Sequence, residues 1–163
     1  MFRSLRISTR LPSATLRGFS SISGNDYVQL NHKIIPCQDP SSTKSPILIL
    51  HGLMGHLGNW RGISSQKDLT KDHTVVVADL RNHGSSPSMD NMDYTSTSKD
   101  VASLIESIGG HAVVVGHSLG GKIAMATALN YPHLVSGLVA VDIMPVEYAP
   151  ANKELKGVHT IVS

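Results

Sequence analysis

The sequence predicts an α/β protein built on a mostly parallel sheet, and three observations predict it. Four short runs are apolar without polar alternation: Ile47–Leu50, Thr74–Asp79, His111–Gly116 and Gly137–Asp142. Strands that read this way are buried on both faces, as parallel strands are. Helical spacing falls between them. Val101, Leu104, Ile105 and Ile108 repeat at three and four within Thr95–Ile108, and a second stretch, Leu119–Tyr131, is closed by Pro132. Alternation of buried strands with helices calls for helices on both faces of the sheet. Finally, 163 residues with 40% hydrophobic and 16% charged content suit one modest globular domain.

The first 23 residues stand apart. They hold Arg3, Arg6, Arg10 and Arg17 and no carboxylate, and serines recur throughout. Such a composition is that of a mitochondrial transit peptide. On a helical wheel the four arginines share one arc while Phe2, Leu5, Leu16 and Phe19 lie opposite. A matrix address is therefore expected for residues 1–23, with cleavage near Ser20. The rest of the chain carries a small net negative charge, so no nucleic-acid surface is indicated. No stretch approaches the roughly 18 apolar residues of a membrane span. The single Cys37 excludes an internal disulfide, and neither a metal nor an organic cofactor is implied.

Residues 24–148 hold the expected domain. Tyr27–Leu30 and Lys33–Cys37 flank Asn31-His32 and predict an N-terminal hairpin. A proline-bounded loop at 40–46 leads into the strand Ile47–Leu50. The turn after it, "HGLMGHLGNW", has glycines at 52, 55 and 58 that let backbone approach a ligand closely. After the strand ending at Asp79 comes "LRNHGSSP". Asp79 is expected to fix that loop, while Arg81 and Asn82 either brace it or line a pocket floor.

"VVVGHSLGGKIAMA", residues 113–126, carries the chemistry. Two motifs compete for it. A phosphate-binding loop needs Ser or Thr after its lysine to hold magnesium, but Ile123 follows Lys122. A nucleophile elbow, G-x-S-x-G, is satisfied by Gly116, Ser118 and Gly120. The physics favours the elbow. A serine squeezed between strand and helix takes a strained backbone, and its neighbours two residues away must be small. Gly121 lets the helix start against the sheet. The Ser118 hydroxyl then sits at a helix N-terminus, where the dipole favours developing negative charge. The Leu119 amide becomes one oxyanion donor. The second should come from the turn after Ile47–Leu50, with Leu53 the candidate and Met54 the alternative.

"HGLMG", "DLRNHGSSP", "GHSLGGKIAM" and "VDIMPVEY" occur in that order at strand ends. Together they resemble the α/β-hydrolases, in the branch of abhydrolase domain-containing protein 11, the bacterial YbfF-type esterases and the yeast mitochondrial ethanol acetyltransferases. The resemblance covers about residues 27–148 and implies an α/β-hydrolase fold. It implies Ser118 as nucleophile, Leu53 and Leu119 as oxyanion donors, and Asp142 at a position used as the triad acid in bacterial relatives. The implied substrate is a small-molecule ester or thioester.

The resemblance also implies a histidine base on a loop after the last strand. The sequence ends at Ser163, and His159 is the only histidine beyond Asp142. The expectation is thus a C-terminally truncated chain lacking the last strands, lid and catalytic-histidine loop, with 149–163 the start of the lid. Gly137–Asp142 would then be an exposed apolar edge, and the chain alone marginally stable and nearly inactive. Three functions follow: a serine esterase or thioesterase, an alcohol acyltransferase using the same acyl-enzyme, or a non-catalytic fragment that binds a protein partner.

Overall fold

The computed structural model describes residues 27–143. Five strands form one sheet: β1 (His32–Ile35), β2 (Ile47–Leu50), β3 (Val75–Ala78), β4 (Ala112–His117) and β5 (Val135–Val141). Their spatial order is β1-β3-β2-β4-β5. All neighbours are parallel except β1, which runs antiparallel to β3. The mostly parallel sheet expected from the apolar runs is therefore present, each strand within two residues of its expected bounds.

The central strands are apolar at every position because both faces are covered. β2 and β3 are wholly buried. Alternate residues point to opposite faces. Leu48, Leu50, Val76, Ala78 and Val114 face helices α3 (Tyr94–Ser107) and α4 (Leu119–Asn130), meeting Val101, Leu104, Ile105, Ile123 and Ala124. On the other face Ile47, Ile49, Val75 and Val77 meet Leu57, Trp60 and Leu69. That layer comes from a 3-10 turn (Leu57–Trp60) and two one-turn helices, α1 (Arg61–Ser64) and α2 (Lys67–Thr70).

Both long helices start one residue from where their spacing placed them or at it. Asp93 caps α3, its carboxylate accepting from the Ser96 amide at 2.7 Å. α4 has no such cap: its N-cap residue is Ser118. Among the described residues no helix is long and apolar enough to cross a membrane.

One element departs from expectation. The N-terminal hairpin is a single strand, because the backbone of its first arm has other partners. The Val28 amide donates to Asp100 Oδ1, Leu30 is buried in the core, and the Asn31 amide donates to Ser86 Oγ. β1 then pairs with β3 instead of folding back on residues 27–30. At the opposite edge, β5 exposes Leu138, Val139 and Val141. The arginine-rich leader and residues 149–163 lie outside the described residues.

Candidate active site

The chain passes from β2 to β3 on one side, then crosses back to lay β4 on the other side of β2. Such a reversal opens a crevice at the carboxyl ends of the two diverging strands. Leu50 is in register with Gly116, so His51-Gly52 after β2 and His117-Ser118 at the end of β4 emerge side by side. A cleft of about 450 Å³ lies there. Ser118 and His117 form one wall, and Gly52, Leu53, Trp60 and Ile63 contribute to the other.

Ser118 has φ +51° and ψ −116°, a backbone conformation disfavoured for a residue with a side chain. The three glycines around it make the bend possible. A Cβ on Gly116 would lie 2.1 Å from the Gly120 carbonyl oxygen. One on Gly120 would lie 2.5 Å from the His51 oxygen, and one on Gly121 would lie 2.4 Å from Ile143 Cγ2. Gly116, Gly120 and Gly121 are thus required by close approach. The bend is held by Ser118 N donating to Val141 O at 3.0 Å and Lys122 N donating to Ser118 O at 3.1 Å.

The opposing loop is a tight turn. Gly55 N donates to Gly52 O at 3.0 Å, and Met54 has φ +59°. Positive φ at the third position marks a type II turn. The Met54 amide is already used, donating to His83 Nε2 at 3.2 Å. The Leu53 amide has no acceptor among the described residues. Of the two candidate donors, Leu53 is therefore the one available to a ligand. Leu119, the first residue of α4, likewise has an amide with no intrahelical acceptor.

Two histidines brace this loop. His51 is buried, and its Nε2 accepts from the Leu80 amide at 3.0 Å. Its proton is therefore on Nδ1, which donates to Gly52 O at 2.8 Å. Burial lowers the His51 pKa, against the Gly52 bond, which favours the charged ring. The His83 ring lies 5.0 Å away, centroid to centroid.

Asp79 fixes the loop after β3, as its position suggested. Oδ1 accepts from Leu57 N at 2.6 Å, and Oδ2 accepts from Asn31 Nδ2 and Ser85 N. Burial opposes its ionisation, but these bonds outweigh it and lower the pKa. Gly84 (φ +54°) passes so close that a Cβ there would meet the carboxylate at 2.3 Å. Arg81 does not reach the cleft. Its buried guanidinium grips Asp100 at 2.6 and 2.7 Å and also donates to Asn91 Oδ1. Asn82 braces the loop through Met89 N, which donates to its Oδ1.

Asp142 follows β5 with φ +52°. Its largely exposed carboxylate lies 3.7 Å from His117 Nε2. No hydrogen bond joins either group to Ser118, whose hydroxyl is without a partner among the described residues. Trp60 meets His117 edge-on, 6.3 Å between ring centres. Sequence reasoning did not place Trp60 and Ile63 in the cleft wall, although the lone tryptophan directly after the glycine-rich turn was a usable signal. The link from His83 to Met54 had no local signature, since it joins residues 29 apart.

The family model for the alpha/beta hydrolase fold matches residues 45–158. The chain is 39% identical over 108 residues to the sn-1-specific diacylglycerol lipase ABHD11 of Danio rerio, covering 66% of this chain and 34% of the relative. It is 39% identical over 128 residues to a probable alcohol acetyltransferase of Saccharomyces cerevisiae, covering 76% and 37%. Esterase YbfF of Escherichia coli is 38% identical over 105 residues, covering 64% and 41%. Among solved structures, a marine microorganism esterase superposes with a TM-score of 0.68 at 33% identity, covering 79% of this chain and 47% of that one. The chain spans between a third and about two fifths of the length of these curated relatives.

Proposed function

The chain belongs to the alpha/beta hydrolase family, and from that premise we propose that it is a serine hydrolase acting on a small-molecule ester or thioester through an acyl-enzyme on Ser118. The observation that carries the reading is the strained Ser118, set on the cleft wall at the start of α4 and facing a loop whose Leu53 amide is unengaged. The hydroxyl oxygen attacks the acyl carbon while a base takes its proton. The Leu53 and Leu119 amides donate to the oxyanion that forms. Collapse expels the alcohol or thiol, which takes the proton from the base, and water then releases the acid by the same steps in reverse.

The base is a histidine contributed from outside residues 27–143, oriented by Asp142. Asp142 suits that role because it directly follows β5 beside the elbow and its carboxylate is mostly exposed, free to accept a second partner. The arginine-rich leader supports a mitochondrial location, in the matrix. A second reading has a specific observation behind it: the similarity to a relative named a probable alcohol acetyltransferase. There an alcohol instead of water attacks the acyl-enzyme.

A fluorophosphonate probe applied to the complete polypeptide tests the proposal, with the labelled peptide identified by mass spectrometry. Labelling at Ser118, abolished in Ser118→Ala, is the expected result, and product analysis with ethanol and an acyl thioester then separates hydrolysis from transfer. A properly folded chain that takes no label at Ser118 overturns it.

A further inference from the structure

Leu53 and Met54 offer two backbone amides beside the cleft, one on each of two successive peptides of the turn, and something must choose between them. Met54 is 87% exposed, so no side-chain packing holds its left-handed backbone in place. What holds it is the 52–55 turn and the bond from its amide to His83 Nε2. For His83 to accept there, its proton must be on Nδ1, and that nitrogen lies 2.9 Å from the Arg81 carbonyl oxygen. Arg81 in turn is immobilised by Asp100. A continuous run of bonds thus leads from the buried α3 carboxylate to the cleft-side turn.

We propose that His83 is a positioning residue of the oxyanion site. By accepting from Met54 N–H it takes that donor out of use, ties the 52–55 turn to the loop after β3, and leaves the Leu53 N–H on the preceding peptide as the donor. The inference rests on Ser118 being the nucleophile. Without the acceptor, the central peptide of the turn can rotate between its two orientations, since types I and II differ mainly in that rotation. That rotation turns Met54 N–H and Leu53 C=O directly, and a turn untethered at Met54 holds the adjoining Leu53 N–H in its place beside Ser118 for only part of the time.

Two variants separate this role from simple packing. His83→Phe keeps the ring and removes the acceptor. His83→Gln loses the ring but places an amide oxygen near the position of Nε2. With the complete polypeptide and the fluorophosphonate probe, the maximal labelling rate at Ser118 is expected to fall about ten- to hundredfold in His83→Phe, short of the roughly 10²–10³ loss for deleting an oxyanion donor. The probe's half-saturating concentration should stay unchanged, and His83→Gln should recover most of the rate. In parallel, hydrogen exchange at the Met54 amide should be slow in the wild type and in His83→Gln, and fast in His83→Phe. A His83→Phe protein that labels at the wild-type rate, or a His83→Gln protein as impaired as His83→Phe, overturns the proposal. If the wild type takes no label at Ser118, the nucleophile reading fails. The hold of His83 on Met54 is then decided by exchange alone, and unaltered Met54 exchange in His83→Phe refutes it.

Discussion

Gly120→Ala sets two effects of opposite sign against each other. Gly120 lies in the first turn of α4, and replacing a helical glycine with alanine ordinarily stabilises by about 1 kcal/mol. Here the new methyl would lie 2.5 Å from His51 O, 2.7 Å from Leu50 O and 2.9 Å from Leu50 C. All three are backbone atoms of the β2 end, so no side chain can rotate away. Reaching the 3.4 Å of ordinary contact requires α4 and the β2 terminus to separate by about 0.9 Å. Overpacking of this kind costs typically about 1–3 kcal/mol, and an all-backbone clash belongs at the top of that range.

The net expectation is destabilisation of about 2 kcal/mol, the difference between those opposing terms. The separation also moves Ser118 and Leu119 away from the turn that carries Leu53, so labelling of Ser118 should slow further than stability alone explains. The control is Gly62→Ala in α1, where a Cβ meets nothing within 4 Å; that variant should be neutral or slightly stabilised. Urea denaturation gives the stability and probe labelling the site geometry. A Gly120→Ala protein with a midpoint at or above the wild type's and unchanged labelling would refute the close-approach argument for the elbow.

Asp100→Leu should destabilise by about 3–5 kcal/mol, because it leaves the Arg81 guanidinium buried without its carboxylate. Arg81→Met combined with Asp100→Leu should recover a large part of that loss in the same denaturation assay, and a double variant no better than the single one contradicts the assignment. His51 sets a pH dependence. Its folded pKa lies below the ordinary 6.5, mainly through burial, so the unfolded chain binds the proton more readily. Stability from this group is complete above 6.5 and declines as pH falls toward the folded pKa. His51→Gln should flatten that part of the curve, and an unchanged slope would assign it to another group.

The sheet was legible because burial on both faces leaves a mark that local sequence cannot hide. Every residue of Ile47–Leu50 and Val75–Ala78 is buried, and every one is apolar. The elbow was legible for a related reason: three backbone approaches closer than a Cβ allows leave glycine as the only solution at 116, 120 and 121. The missed hairpin shows the converse. Tyr27–Leu30 has a strand-like composition, but the Val28 amide is claimed by Asp100, 72 residues later, and no local pattern reports a partner so distant. The bond that engages the Met54 amide was hidden in the same way, because its acceptor is a histidine 29 residues downstream.

The distribution of backbone strain joins these observations. Among the described residues four non-glycine side chains have positive φ: Met54, Asn82, Ser118 and Asp142. They follow β2, β3, β4 and β5 respectively, each within a few residues of the strand's carboxyl end. Asn82 is the least costly, since asparagine tolerates the left-handed region and its side chain ties down Met89 N. The other three are residues of the proposed site or of its oxyanion turn, and at Met54 and Ser118 the cost is on the order of 1–3 kcal/mol each. Such conformations persist only where neighbours over-determine them. The neighbours are identifiable: His83 for Met54, and Val141 O with Lys122 N for Ser118. The parallel sheet therefore does more than carry the site. It brings four strand ends to one edge, and the bonds between adjacent loops hold there backbone shapes that no one loop would keep alone.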